Sequence, residues 1–204
     1  LALWIGFEDT QDWDGSDYAH PLECSGSCPA SGAGMFGSAG TFSNQGLGVP
    51  YHPSLDLSGE YTLALWARAD GPQALGRGTL FSQPSDGEMV YDLSIQDLDG
   101  DSTYDLVAAV EGTGGGLLDV FAVGEWVHIV VVHTPGHHEV FVNGTSRVDS
   151  DTLTATSPGT DLYVGRVPGP LAFALNGAVD DLRLYRRVLT DPELATVMRG
   201  EPLE

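Results

Sequence analysis

The chain has 204 residues, of which 42% are hydrophobic and 18% are charged, as in folded globular proteins and unlike disordered chains. Eight arginines and no lysine stand against 29 acidic residues, and the resulting net charge of −21 argues against nucleic acid and anionic membranes as partners. No apolar run approaches the roughly 20 residues that cross a bilayer, so we expect no membrane insertion.

Turn residues recur roughly every 8–12 positions, and the β-rich runs between them are typical of an all-β sandwich or barrel. The segment from Asp9 to Ser58 is rich in Gly, Ser and Pro, and it predicts a long connection with short strand fragments. The predicted strands are Leu1–Phe7, Glu60–Arg68, Gly78–Gln83, Met89–Gln96, Tyr104–Val110, Leu117–Val123, Trp126–His133, Glu139–Asn143, Asp161–Arg166 and Ala178–Tyr185.

The C-terminal part of the chain carries clear turn and helix signals. Thr134–His137 and Asn143-Gly144 each contain the residues of a tight turn, and they predict two consecutive hairpins. Thr190 and Glu193 form a capping box, in which the Thr hydroxyl caps backbone N–H groups and the Glu side chain reaches back. Gly200 then provides a helix stop. We therefore predict one short C-terminal helix.

Cys24 and Cys28 are the only cysteines of the chain. The Gly and Ser residues between them allow a turn tight enough to close a small disulfide ring. Two cysteines cannot form a zinc site alone, and their spacing is not Cys-x-x-Cys. A disulfide, and with it an oxidising compartment, is the favoured interpretation, and two reduced thiols in a loop are the alternative.

The sharpest local motif is a run of alternating aspartates. Asp97, Asp99, Asp101 and Asp105 surround Gly100, which permits a turn that aims their carboxylates at a common centre. Calcium takes about 6–8 oxygen ligands, so four carboxylates and a backbone carbonyl approach a full set. The spacing is not that of an EF-hand, and β-rich runs flank the loop. Both a calcium loop between two strands and a solvated acidic hairpin tip fit this motif.

Several segments also follow a familiar order. They are Trp4–Glu8, Pro53–Leu57, Glu60–Arg68, Glu125–His128, Val140–Gly144, Leu162–Arg166, Gly177–Tyr185 and Val188–Leu194. Together they resemble laminin-G-like domains of the concanavalin A-like lectin and glucanase superfamily. The resemblance implies one domain over residues 1–204, with residues 9–48 and 96–116 diverging. It implies an all-β, two-sheet antiparallel jelly-roll sandwich, concanavalin A-like, with one short C-terminal helix.

The resemblance implies a second metal site, because many concanavalin A-like folds bind a structural Ca²⁺ on their convex side. The matching positions are Glu8 and Asp180, and backbone carbonyls of the Gly37–Ser43 region are expected to add ligands. The alternative is that Asp180 and its neighbouring aspartate lie at a sheet edge and pair with Arg183 or Arg186. Calcium is thus the one cofactor that the sequence indicates, and its role is structural.

Aromatic residues on the predicted strands have two open roles. Core packing is the expected role of Trp4, Trp66 and Trp126, since large aromatic side chains in strands are mostly buried. A sugar-stacking role for one of them, or for Tyr91 or Tyr104, stays open. The sequence alone does not assign each ring to a face of its sheet.

The functional prediction is an extracellular, calcium-binding β-sandwich module that binds carbohydrate or a glycoprotein and belongs to a larger secreted or cell-surface protein. A non-binding structural spacer is the first alternative. A divergent polysaccharide-degrading enzyme is the second. Laminarinase-like glycosidases of the superfamily carry Glu-x-Asp-x-x-Glu on one strand, and this sequence has no such triplet. We therefore predict that the chain is not an enzyme.

Overall fold

A computed structural model describes residues 1–8, 14–86, 88–101, 103–110, 113–151, 157–169 and 173–203. These residues form two antiparallel β-sheets packed face to face, with one α-helix near the C-terminus. The predicted all-β sandwich with a short C-terminal helix is therefore confirmed. The two sheets are called sheet A and sheet B below.

Sheet A contains the first and last strands of the chain. Strand β1 (Leu3–Ile5) pairs with one half of an edge of β15 (Gly177–Tyr185), through Leu3 and Leu184. The other half of that edge pairs with β4 (Ser38–Phe42). The strands of sheet A are β13 (Thr145–Asp151), β12 (His137–Val142), β11 (Trp126–Thr134), β6 (Tyr61–Ala69), β15 (Gly177–Tyr185), β4 (Ser38–Phe42) and β3 (Ala30–Ala33), in spatial order, with β1 (Leu3–Ile5) beside β15.

Sheet B is built mainly from the middle of the chain. Three consecutive hairpins form one side of it, and strands from distant parts of the sequence complete the other side. Its strands are β10 (Thr113–Phe121), β9 (Tyr104–Val110), β8 (Glu88–Gln96), β7 (Arg77–Ser85), β14 (Leu162–Val164), β5 (Gly46–Val49) and β2 (Glu23–Ser25), in spatial order.

The main core lies between the two sheets. Because side chains alternate across a strand, Leu63 and Leu65 of β6 point into this core while Trp66 points to the outer face of sheet A. Leu93 and Ile95 of β8 face them from sheet B. A dry, two-sided core of this kind is the hydrophobic driving force of a sandwich.

Helix α1 (Asp191–Met198) begins at the predicted capping box, where the Thr190 backbone N–H donates to Glu193 Oε2 at 2.8 Å. Leu194 and Val197 pack on the outer face of sheet A, in a second apolar cluster that includes Val130 of β11. The helix is eight residues long, and within the described ranges no helix has the length and apolar character needed to cross a membrane.

The Gly- and Ser-rich segment contains four strands of three to five residues, β2 to β5, so the predicted short strand fragments are confirmed. Its first part, residues 9–13, lies outside the described residues. Cys24 and Cys28 form a disulfide, so the favoured pairing is confirmed. Cys24 also packs against the core beside Leu47, and the small ring therefore fixes the edge strand β2.

Candidate functional site

The metal site that the resemblance implies, at Glu8 and Asp180, is built around a tight turn between β3 and β4. This turn, residues 34–38, is called the Asp180 turn below. Asp180 lies on the outer side of β15 and is 0% exposed. Its Oδ2 accepts the backbone N–H groups of Met35 at 2.7 Å and Phe36 at 2.9 Å. Its Oδ1 is buried and has no hydrogen-bond partner. One oxygen of this carboxylate therefore holds the turn, and the other is left without a partner.

Glu8 holds the other end of the same turn. Both of its carboxylate oxygens lie within 3.3 Å of the Ser38 backbone nitrogen. A Cβ atom at Gly37 would overlap this carboxylate, and the residue also has a φ of +65°, so glycine is required there twice over. The structure thus brings Glu8 and Asp180 to one turn, although 172 positions separate them in the sequence.

Burial changes the acidity of Asp180. Loss of water raises the pKa of its carboxyl to about 6, against the lowering effect of the Phe36 and Met35 N–H groups. A bound cation would favour the ionised form and supply the partner that Oδ1 lacks. The donor set, two carboxylates beside a turn, consists of oxygen atoms, which a hard cation such as Ca²⁺ prefers. The residues therefore fit the metal that the resemblance implies.

Asp181 makes different hydrogen bonds from those of Asp180. The chain bulges between Asp180 and Arg183, and Asp181 adopts a φ of +46° there. Its Oδ1 accepts the Arg183 Nε–H and the Trp4 indole N–H, each at 2.8 Å. The ion pair with arginine that was the alternative for this region is therefore made by Asp181, and Asp180 makes no described ion pair.

The acidic loop, residues 97–105, joins β8 to β9 at one end of sheet B. Its carboxylates form two groups whose oxygen atoms lie within 4.8 Å of one another. One group is Asp97, Asp99 and Asp105, and the other is Asp99, Asp101 and Asp119. Asp119 was missed in the sequence because it follows the loop by a full hairpin. Its φ of +54° and its N–H bond to Asp105 place it beside the loop.

Hydrogen bonds within the acidic loop use much of its acceptor capacity. Asp97 accepts the Gly100 N–H at 2.7 Å, and Asp101 accepts the Thr103 N–H at 2.8 Å. Asp105 is buried and accepts the Leu98 N–H at 2.5 Å. Partial desolvation, followed by the neighbouring carboxylates, raises the pKa of Asp99. The loop brings together all four predicted ligands, but with turn hydrogen bonds that an ion-free acidic hairpin also makes.

The aromatic residues named as possible sugar platforms are mostly unavailable. Tyr91, Tyr104 and Trp66 are buried. Trp4 lies beneath the Arg183 guanidinium, 5.3 Å from it, and Trp126 lies beneath a second arginine. A stacking role for Tyr91 or Tyr104 is therefore wrong. Partly exposed aromatic rings occur instead at positions that periodicity alone does not mark, notably on strand β14.

Comparison with known proteins agrees with this architecture. A family model of the concanavalin A-like lectin/glucanases superfamily, of the laminin G type, matches residues 40–195. The chain belongs to this family.

The chain is also similar to three individual proteins. Human usherin is 27% identical over 164 residues, covering 74% of this chain but only 3% of usherin. Domain 4 of AbnA, an extracellular GH43 arabinanase from Geobacillus stearothermophilus, was solved in complex with arabinotriose. It superposes with a TM-score of 0.67 at 19% identity, covering 97% of both chains. A putative carbohydrate-binding protein from Bacteroides ovatus gives 0.63 at 23% identity, covering 76% of this chain and 45% of that protein.

Proposed function

We propose that this chain is an extracellular module that binds carbohydrate and is stabilised by calcium. The observation that carries the proposal is the superposition over 97% of both chains with an arabinanase domain crystallised with arabinotriose. The similarity to a putative carbohydrate-binding protein supports the same ligand class. Partners are then free carbohydrate or the glycans of a glycoprotein, and residues 1–204 act as one non-enzymatic module.

The Asp180 turn supports the calcium part of the proposal. Asp180 and Glu8 would hold the ion, with backbone carbonyls of the Gly37–Ser43 region as further ligands. Calcium would supply the missing partner of Asp180 Oδ1 and fix the turn against sheet A. A second, weaker site would use Asp97, Asp99, Asp101, Asp105 and Asp119 in the acidic loop.

The location of the protein is inferred from its covalent chemistry. The Cys24–Cys28 disulfide is stable in oxidising compartments and is rare in reducing ones. The arabinanase with the matching domain is itself extracellular. A secreted or cell-surface protein that contains this module is consistent with both facts.

A co-sedimentation experiment tests the proposal. The whole chain is mixed with insoluble polysaccharides, such as arabinan, xylan, cellulose and chitin, in millimolar calcium or in EDTA. We expect saturable binding to at least one polysaccharide in calcium, and weaker binding in EDTA. Absence of binding to every polymer under calcium would contradict the proposal and favour the structural spacer. Release of soluble sugar would instead favour a polysaccharide-degrading enzyme.

A thermal melt tests the calcium part separately. A ligand at about 100 times its Kd stabilises the folded state by roughly 2.7 kcal/mol, which raises the melting temperature of a chain this size by several degrees. We expect such a shift in millimolar calcium. Asp180→Ala should lose the shift, and Glu60→Gln, which changes an exposed carboxylate outside both candidate sites, is the control that retains it. Equal melting temperatures in EDTA and calcium would contradict a structural ion.

A further inference from the structure

The two outer faces of the sandwich are used differently. Helix α1 packs on sheet A, where Leu194 and Val197 contact Val130. The Asp180 turn covers more of the same face. Within the described ranges, no α-helix packs on sheet B. The outer face of sheet B is therefore the sheet surface that no described helix covers, although Ser82 and Asp92 on its central strands are themselves buried.

One row of residues crosses the whole outer face of sheet B and is called the Tyr163 row below. Tyr163 lies between Leu162 and Val164, which both point into the core, so its own side chain points outward. The same alternation holds on each neighbouring strand. The row, read through the strand registers, is Glu23, Gly48, Tyr163, Ser82, Asp92, Ala109 and Gly114.

The composition of this row is unusual for a sheet surface. Tyr163 is its single large side chain, and Gly, Ala and Ser provide a low floor around it. Neighbouring strands are about 4.8 Å apart, so the carboxylate-bearing residues Glu23 and Asp92 flank Tyr163 at about 10 Å on either side. The arrangement is one aromatic ring between two hydrogen-bonding groups.

The Tyr163 ring lies across a glycine. A Cβ atom at Gly48 would be 3.3 Å from Tyr163 Cε1, closer than side chains usually pack. The hydroxyl group reaches Asp161 Oδ2 at 3.4 Å, which anchors the far end of the ring. A ring supported in this way on the backbone of β5 is a fixed, partly exposed apolar surface.

Polar groups around Asp92, two strands from the ring, have unused hydrogen-bonding capacity. Asp92 Oδ2 is engaged by the Arg77 guanidinium and by the Ser94 hydroxyl. Asp92 Oδ1, Arg77 Nε and Thr79 Oγ1 are buried and have no hydrogen-bond partner. A buried polar group without a partner destabilises the folded state, so folded structures keep few of them. These three atoms are an acceptor, a donor and a hydroxyl that can be either.

The charges around the row limit its ligand. Glu23, Asp161 and Asp92 bring three carboxylates to this face, whereas Arg77 is already paired with Asp92. The whole chain carries a net charge of −21. An anionic ligand would be repelled, and an apolar one would leave the polar atoms without partners. A neutral molecule with many hydroxyl groups satisfies both conditions.

We propose that the Tyr163 row is the carbohydrate-contact surface and that it selects neutral sugars. The C–H face of one sugar ring packs on Tyr163, while hydroxyl groups reach the Arg77 guanidinium, which is paired with the buried Asp92, on one side and Glu23 on the other. The side chain of Arg77 is 23% exposed, so it is the part of the polar group that a ligand meets first. This inference rests on the proposed function and assigns a surface and a sugar class to it.

Affinity gel electrophoresis in millimolar calcium tests the inference. The gels contain neutral polymers, soluble arabinan, galactan or xylan, or an anionic polymer, polygalacturonate. We expect a neutral polymer to retard the wild-type chain and polygalacturonate not to retard it. Tyr163→Ala should bind about tenfold more weakly because the stacking surface is lost. Tyr163→Phe, which keeps the ring, should stay within about threefold of the wild type.

Two further variants make the result independent of folding defects. Tyr18→Ala removes a tyrosine that is 50% exposed on a loop, stacks on His20 and is not a member of the row, so it should leave binding unchanged. Glu23→Ala alters the exposed edge strand, where a folding defect is not expected, and should weaken binding about threefold. Melting temperatures of all variants confirm that each is folded at the assay temperature.

The outcomes separate the two proposals. If no polymer retards the wild type, the proposed function fails and this inference fails with it. If a neutral polymer retards the wild type and Tyr163→Ala equally, the inference alone is overturned. Retardation by polygalacturonate and not by the neutral polymers would overturn the selection of neutral sugars.

Discussion

Two acidic regions of this chain contain the same functional group in opposite surroundings. In the Asp180 turn, one carboxylate is fully buried and accepts hydrogen bonds from two backbone N–H groups. In the acidic loop, Asp97, Asp99 and Asp101 are exposed and bond mainly to the loop itself. The comparison teaches that the number of aspartates in a motif is a poor guide to how much they contribute to the stability of the fold. Burial decides which carboxylate the fold depends on.

The largest expected effect comes from removing the buried carboxylate. Asp180→Ala leaves the Met35 and Phe36 N–H groups without their acceptor, at about 1–3 kcal/mol each. Urea denaturation should therefore show a loss of about 3 kcal/mol in unfolding free energy, together with loss of the calcium-induced stabilisation. Asp99→Ala in the acidic loop is the matched change and should leave the midpoint in EDTA unchanged. Equal losses in the two variants would break the comparison.

Acid is expected to act next most strongly, again through buried groups. Burial, and then the charges of His138 and His137, lower the pKa of His133 from 6.5 to about 4. Below pH 6.5 the unfolded chain binds a proton at His133, whereas the folded chain binds it only below about pH 4. The free energy of unfolding therefore decreases as the pH falls from 6.5 to about 4. The expected loss is about 2–3 kcal/mol. His133→Phe, which keeps the stacking on Tyr61, should remove this contribution but not that of His128, whose pKa burial also lowers to about 4.

Denaturation midpoints between pH 7 and pH 4 measure this effect. The exposed aspartates of the acidic loop cannot reproduce it, because protonating them relieves repulsion and does not bury a charge. A midpoint that falls equally in the wild type and in His133→Phe would show that another group causes the acid sensitivity.

A pair of glycine substitutions gives a smaller but sharper contrast. Gly37 and Gly100 both have positive φ, at +65° and +77°, so alanine strains either backbone by about 1 kcal/mol. A Cβ atom at Gly37 would also overlap the Glu8 carboxylate, whereas nothing lies within 4 Å of one at Gly100. Gly37→Ala should therefore be the more destabilising and should weaken calcium binding, as measured by melts in EDTA and in calcium. Equal effects of Gly37→Ala and Gly100→Ala would show that the contact between Gly37 and Glu8 contributes neither to stability nor to calcium binding.

The smallest expected effect is that of Asp119→Asn. This change removes one carboxylate from the crowded group around Asp99 and keeps an acceptor for the Thr103 hydroxyl. The melting temperature in EDTA should stay the same or rise slightly, since only repulsion is lost. Differential scanning fluorimetry is sensitive enough to detect the change. A clear fall would mean that the acidic loop supports the fold through Asp119.

Much of the fold could be predicted from the sequence, because long strands such as β6, β8 and β11 carry apolar residues on at least one face. The strands whose positions were not predicted lack this signal. β3 is Ala-Ser-Gly-Ala and β5 is Gly-Leu-Gly-Val, both poor in β-forming residues, and the edge strand β13 is almost entirely polar. Their positions are set by pairing with neighbours, which a local pattern does not reveal.

The candidate sites divide in a similar way. The acidic loop is visible because its aspartates are adjacent in the sequence, and the closing motif marks Asp180. Asp119 and the row around Tyr163 could not be found, because each depends on strand register. The bulge between Thr79 and Phe81, in particular, shifts the alternation of β7 and decides that Ser82 shares a face with Asp92.

Anomalous diffraction from crystals grown in calcium, or in a lanthanide that replaces it, tests the central claim about burial most directly. The account predicts a strong peak beside Asp180 Oδ1 and Glu8, and a weaker one or none in the acidic loop. A strong peak among Asp97, Asp99 and Asp105 with no density at Asp180 would contradict it. The exposed motif would then be the calcium site, and the buried carboxylate would serve only to hold its turn.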